Sequence, residues 1–222
     1  LQAATTLGGS LRAAGRLEEA EGLHRWAFSG LSATLGAGNR DTLTSANNLG
    51  LVLEARGSLA EAEALFRLAR QGLAKAIGPG APSTFSATFN LASLLASPQN
   101  LGRQGQRALA EAEALHREAL AGRMRVNGPR SRLAVESGDA LAALLVALRR
   151  SEEAELVQRQ AMEARGLVGG RVAAGDEGRA AVQAMSTLAQ SLKLQGRAGE
   201  AVVYFQAAYE QCRRRKEFRG PD

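Results

Sequence analysis

The chain has 222 residues, 45% of them hydrophobic and only 4% aromatic, with a formal net charge of +6. No run approaches the ~20 consecutive apolar residues that span a bilayer, the start carries no signal-peptide pattern, and the shortage of aromatics argues against a β protein. A single cysteine, Cys212, excludes an internal disulfide and reads as a small apolar residue on the last helix.

Five segments repeat the same columns at a period of about 42 residues. The first, about 1–36, has Leu7 and Leu11 four apart, Gly8 directly after the first leucine, Gly15, then Glu19-Ala20 and Ala27. In the second, about 37–78, the same places hold Leu49, Leu53, Gly50, Gly57, Glu61-Ala62 and Ala69. The third, about 79–128, has Leu91, Leu95, Ala92, Glu111-Ala112 and Ala119. The fourth, about 129–170, has Leu141, Leu145, Ala142, Glu153-Ala154 and Ala161, with Arg149 in place of the glycine. The fifth, about 176–217, has Leu188, Leu192, Ala189, Gly196, Glu200-Ala201 and Ala208. Each copy carries two stripes of period 3.6 separated by a helix stop, and so reads as a helical hairpin. The tiny residues let antiparallel helices approach: Gly50 is expected opposite Ala62, and Ala69 leaves room for the next hairpin. The glutamate before each alanine suits the positive end of the second helix. Such self-similarity marks a solenoid, whose units bury their apolar faces against their neighbours.

Two insertions interrupt the period. Leu95 to Ala112 is 17 residues against 9 in the other copies, and Ala161 to Leu188 is 27 against 22. The extra residues fall in Ser97–Gly105 and around Gly169–Gly178, both expected as mobile loops.

Few residues suggest chemistry. His24 and His116 occupy equivalent places in the first and third hairpins, where Phe66 and Phe205 stand in two others, so packing between helices is their expected role. No H-E-x-x-H, C-x-x-C or carboxylate–histidine cluster occurs. Gly78-Pro-Gly-Ala-Pro-Ser83-Thr84 lacks the lysine and preceding strand of a phosphate loop, and Gly169-Gly170-Arg171 fails likewise. Glu136 and Asp139, three apart, read as a solvated face. No catalytic residue, metal or cofactor is therefore expected. Three of the six net positive charges sit in the tail, where Arg213, Arg214, Arg215, Lys216 and Arg219 face Glu217 and Asp222. Arg213–Lys216 are candidate contacts for phosphate or anionic lipid, although cations also suit a helix C-terminus.

Asp41-Thr-Leu-Thr-Ser-Ala-Asn-Asn-Leu49-Gly50 followed by Leu53, Gly57, Glu61-Ala62-Glu63 and Leu65 resembles the tetratricopeptide repeat, in the 42-residue variety of the kinesin light chains. Asn90-Leu91-Ala92 and Ala110-Glu111-Ala112-Glu113-Ala114-Leu115 repeat the motif. Gly78-Pro79, Gly128-Pro129 and Gly220-Pro221-Asp222 look like that family's Gly-Pro-Asp connection. Ala140 and Thr187 stand where Asn48 and Asn90 do. The resemblance implies an all-α, right-handed superhelical solenoid of five helix-turn-helix repeats, one domain over residues 1–222. It also reads the chain as a piece of a longer array.

In such a solenoid the first helix of each pair lines the concave side. The candidate groove residues are Asn47, Asn48 and Leu51 in the second copy; Phe89, Asn90 and Ser93 in the third; Glu136 and Asp139 in the fourth; and Gln190 and Lys193 in the fifth. Thr5, Arg12, Glu54, Ala143 and Gln183 flank them. Asparagine offers a donor and an acceptor together, which suits an extended peptide backbone, and the resemblance implies that Asn48 and Asn90 hold peptide; bonding between neighbouring helices is the competing role. The expectation is a cytoplasmic, non-catalytic scaffold for a peptide or partner subunit, with a kinesin-light-chain-like adaptor as its specific version and end-to-end self-association open to it. No small-molecule substrate is expected, and nucleic acid and membrane rank below protein. The alternatives are the regulatory repeat region of a larger enzyme or ATPase-type regulator, and association with an anionic surface through the tail.

Overall fold

A computed structural model describes residues 2–166 and 179–218. Among these residues ten helices follow in order: α1 Gln2–Ala13, α2 Leu17–Leu35, α3 Arg40–Ala55, α4 Leu59–Ile77, α5 Pro82–Ala96, α6 Pro98–Asn127, α7 Arg132–Ala147, α8 Ser151–Ala164, α9 Arg179–Leu194 and α10 Ala198–Phe218. Among the described residues there is no strand. The helices pair as hairpins, and they group into two compact units, Leu1–Gly122 and Arg123–Asp222. In the first unit α1, α3 and α5 run side by side, with α2 and α4 packed against them; in the second, α7 and α9 do so with α8 and α10.

In the first, second, fourth and fifth hairpins the turn is closed by the second leucine of the repeat. The carbonyl of Leu53 accepts from the amide of Ser58 at 2.8 Å and that of Glu54 from Gly57 at 2.9 Å, with Gly57 at φ 83°. This is the two-bond helix stop that a left-handed residue makes possible. Leu11 with Arg16 and Leu192 with Arg197 repeat it, around Gly15 and Gly196. In the fourth hairpin Leu145 accepts from Arg150 in the same way, but the left-handed residue is Arg149, at φ 63°. Its Cβ is strained there.

The insertion Ser97–Gly105 is not the expected loop. Ser97 ends α5, Pro98 starts α6, and the helix runs on to Asn127 with one break at Gly105, where φ is 62° and ψ −152°. Proline is preorganised for a first helical turn and glycine tolerates the break. The second insertion lies outside the described residues.

Packing inside the hairpins corrects one pairing. Gly50 faces Phe66, not Ala62: a Cβ on Gly50 would stand 2.6 Å from Phe66 Cε1. A Cβ on Gly8 would likewise stand 2.7 Å from His24 Nε2. A second close approach recurs at the far end of the hairpin, where a Cβ on Gly72 would lie 2.4 Å from Leu43 and one on Gly122 2.1 Å from Phe85. Phe66, His24 and His116 are buried, as the repeat register requires. Phe205 is not: on α10 the neighbouring Tyr204 is buried instead, and its hydroxyl accepts from Arg159 at 3.3 Å.

Successive second helices are joined by an ion ladder. On α2, Arg25 donates to Glu21 at 2.7 Å and reaches forward to Glu61 of α4 at 2.8 Å. On α4, Arg67 donates to Glu63 at 3.0 Å and to Glu111 of α6 through two bonds of 2.5 and 2.8 Å. On α8, Arg159 donates to Glu155 at 2.8 Å and lies 3.6 Å from Glu200 of α10. Arg117 repeats the pairing with Glu113 on α6. Glu61 and Glu200 thus sit in the first turn of their helices and also receive the preceding arginine, whereas Glu111 receives it from within α6. Hydrogen bonding by Arg67 holds the Glu111 carboxyl below the usual range.

Arg149→Gly should raise the urea midpoint, stabilising the chain by about 1 kcal/mol through release of the left-handed Cβ; an unchanged or lowered midpoint would show that the turn is unstrained. Arg67→Met should destabilise by roughly 0.5–1 kcal/mol, a loss that shrinks in high salt as the ladder is screened. Unfolding curves of both chains at low and high salt check this.

Candidate functional site

The first helices of the leading unit carry most of the candidate residues. Thr44, Asn48 and Leu51 on α3 are half-buried, as are Phe89, Asn90 and Ser93 on α5. Consecutive first helices place Asn90 beside Asn47, and Asn90 Nδ2 donates to Asn47 Oδ1 at 3.0 Å. The amide pair joins Asn90 to the residue before Asn48, a one-position offset that the repeat register did not indicate. Asn48 makes no side-chain hydrogen bond among the described residues, so its amide is available. Phe89 leans back into its own hairpin, with its ring edge-on to His116 at 5.5 Å between centroids. At one side, burial pushes the Glu54 carboxyl above its ordinary range while Arg12 opposes the shift.

The second unit treats the same columns differently. Asp139, the counterpart of Asn47 and Phe89, turns into its own hairpin, where its carboxylate accepts from Gln158 Nε2 at 2.8 Å and from Arg165 at 2.9 and 2.5 Å. It is not part of a solvated face. Glu136 is exposed and lies 3.9 Å from the guanidinium of Arg123, which is buried and donates to Ser137 Oγ at 2.8 Å. Burial lowers the Arg123 pKa, with Glu136 opposing. Gln190 and Lys193 on α9 are exposed. The structure therefore gathers Asn47, Asn48, Leu51, Phe89, Asn90 and Ser93 on adjacent helices, whereas Glu136, Asp139, Gln190 and Lys193 lie in the other unit.

No group of three or more histidine, cysteine, aspartate or glutamate side chains that could hold a metal occurs among the described residues. Thr84, at the end of the glycine-rich 78–84 segment, is buried and donates to the carbonyl of Gly78 at 3.0 Å, so this hydroxyl closes the linker between hairpins. Gly169–Arg171 lies outside the described residues. Cys212 and Arg213 are exposed, and the side chains of Arg214, Arg215 and Lys216 lie outside the description. No helix among the described residues is long and apolar enough to cross a membrane.

Paired helices, glycine-stopped turns and close small-residue contacts define a tetratricopeptide-type fold. The tetratricopeptide repeat family matches residues 1–75, and no curated protein matches by sequence. Among solved structures, the chain is similar to BtubC (BKLC) from P. vanneervenii, at 20% identity and a TM-score of 0.78 over 99% of this chain and 81% of that one. It is also similar to a kinesin-light-chain-like protein of Podosopora anserina with nearly identical TPR-like repeats, at 19% identity and a TM-score of 0.75 over 95% and 94% of the two chains. MamA from MSR-1 follows at 19% identity and a TM-score of 0.59, covering 95% of each.

His24 gives the fold a pH dependence. Burial first, and the nearby Arg12 second, lower its pKa from the ordinary 6.5. The folded state thus prefers the neutral ring, and this contribution is complete above pH 6.5 and lost as the pH falls toward the depressed folded value. His24→Phe, which copies the Phe66-over-Gly50 pairing, should flatten the fall in urea midpoint between pH 7.5 and 5.5. An equal fall in both chains would locate the proton uptake elsewhere.

Proposed function

We propose that the chain is a non-catalytic interaction module that takes an extended peptide segment, or a segment of a partner subunit, along the α1–α3–α5 face of its first unit. The observation that carries this reading is the run of half-buried amide and apolar side chains on consecutive first helices. Asn48 and Asn90 offer donor and acceptor groups beside Leu51 and Phe89. An extended strand needs paired donors and acceptors along its backbone and apolar seats for alternate side chains, and this combination supplies both. The Asn47–Asn90 bond helps hold the clamp in place, so less rotamer freedom is lost on binding. Affinity would come from shape and desolvation, with no bond made or broken.

The specific version of this reading is an adaptor of the kinesin-light-chain kind, working in the cytoplasm. Its support is the similarity to kinesin-light-chain-like solved structures, together with the 42-residue period and the Asn-Leu-Gly/Ala motif. The whole 222-residue chain would act as one solenoid in this role.

A displayed library of random peptides tests the proposal. Selected peptides should bind the chain in titration calorimetry and lose at least ~fivefold in affinity on Asn48→Ala or Phe89→Ala, while Leu156→Ala, on the exposed face of α8, leaves affinity unchanged. Binding that ignores both groove substitutions, with helicity intact, would overturn the assignment of the site.

A further inference from the structure

The first helices of the leading unit hold few charges. α1 carries only Arg12 and α5 carries none, while α3 has Arg40 and Asp41 at its start and Glu54 near its end. Thr42–Leu53 contains no charged residue. Arg12, Arg40 and Asp41 are exposed, whereas Glu54 is half-buried. Asn47, Leu51 and Glu54 succeed one another at intervals of four and three, so they form one stripe along α3. The bond from Asn90 shows that this stripe turns toward α5. Glu54 therefore stands two turns, ~10 Å, beyond the amide pair on the same seam. Nothing there answers it. Among the described residues its carboxylate accepts no hydrogen bond and forms no ion pair. The same seven-residue step from Asn90 ends at Ser97, whose hydroxyl is buried and has no partner among the described residues. Arg12, in the same column on α1, acts on Glu54 only through space. Burial raises the Glu54 pKa more than Arg12 lowers it, as befits a carboxylate that has lost water without gaining donors.

We propose that Glu54 determines which segments the peptide face accepts, by receiving the ammonium or guanidinium group of one basic residue that follows or precedes an uncharged stretch. This rests on the reading of the α1–α3–α5 face as a peptide site. A half-buried carboxylate without donors is costly, and a lysine or arginine side chain brings donors and no acceptor. The exposed guanidinium of Arg12 keeps its water, so an anion gains little by meeting it. An acidic segment is disfavoured twice over, since Glu54 repels it and α5 offers no cation in return. The uncharged stretch of the segment matches the uncharged run between Asp41 and Glu54. An extended chain advances ~3.3 Å per residue, so the ~10 Å from the amide pair to Glu54 separates the basic residue from the clamped backbone by about three residues. A charge pair in this half-covered position sets specificity, because a segment lacking the cation leaves the carboxylate desolvated and unanswered.

Peptides selected from the displayed library against the whole chain should share one lysine or arginine at a fixed distance from an uncharged stretch. Replacing that residue by norleucine should weaken binding to the unaltered chain at least ~fivefold in titration calorimetry. Glu54→Gln should weaken the basic peptide by a similar factor and leave the norleucine peptide unchanged, so that the two losses are coupled. Glu152→Gln, an exposed carboxylate on α8, should change neither affinity, which separates the effect from net charge. The norleucine arm needs no altered protein and decides the matter if Glu54→Gln loses helicity by circular dichroism. Selected peptides with no shared basic residue, a norleucine peptide that binds as tightly as its parent, or equal losses of both peptides on Glu54→Gln would each overturn the proposal. Peptides that respond to Asn48→Ala and Phe89→Ala but not to Glu54→Gln would leave the peptide face standing and remove only the role of Glu54. Peptides indifferent to all three, or none selected, would remove both.

Discussion

The distance at which two antiparallel helices can cross governs this protein. Where Gly50 faces the ring of Phe66 and Gly8 the ring of His24, no Cβ would fit without displacing an aromatic side chain. The ring fills the space a side chain on the first helix would have taken, so one large and one absent side chain make a dry, specific contact. Gly72 against Leu43 and Gly122 against Phe85 repeat the arrangement at the other end of the hairpin with the roles exchanged between helices. A hairpin pinned at both ends has a fixed crossing. That is the condition for presenting its first helix at a defined angle to the next, because close-packed interiors deform little.

Fixed hairpins still need a register between them, and small apolar contacts alone tolerate sliding. The ladder supplies the missing directionality. Each arginine is held on its own helix by a glutamate four residues earlier, so its fork is already oriented when it meets the glutamate of the next second helix. A pair that was fully exposed would contribute little. Here one glutamate of each set is mostly covered by the following helix. Burial alone would push the Glu155 carboxyl up, yet hydrogen bonds from Arg159, Gln195 and Arg197 hold it below its usual range. The ionised form therefore belongs to the fold, and a slipped register would leave it without those donors.

Much of this architecture was legible because it is periodic. The leucine pairs, the turn glycines and the buried alanines all fall where the 42-residue register puts them, and even the exception, Arg149, adopts the left-handed backbone of the glycine it replaces. The ladder was equally periodic, with Glu21, Glu63, Glu113 and Glu155 each four residues before an arginine, but charged surface residues recur for many reasons and spacing alone does not reveal a partner in the next hairpin. What sequence could not supply was the offset between neighbouring helices. Gly50 opposes Phe66 and not Ala62, and Asn90 bonds Asn47 and not Asn48, because contacts across a crossing depend on tilt. The Ser97–Gly105 segment misled for a different reason. Its proline and glycine suggested a loop, but proline at a first turn starts a helix and one glycine can absorb a break within it.

That same offset decides which polar groups remain open. A side chain on a first helix can turn toward its own hairpin or outward along the array, and neighbours settle the choice. Asp139 is captured by Gln158 and Arg165, a tie that secures the fourth hairpin and removes a carboxylate from the surface. Asn90 is shared with Asn47, which satisfies one donor and leaves its carbonyl oxygen. Asn48, one position away, has no partner among the described residues and keeps both. Within one repeated scaffold, polar residues in related columns therefore serve two opposing ends. Those drawn inward hold neighbouring helices together, and those left half-covered retain the hydrogen-bonding capacity that recognition requires. The first unit concentrates the second kind, which is why the proposed recognition face lies there and not on the hairpins that follow.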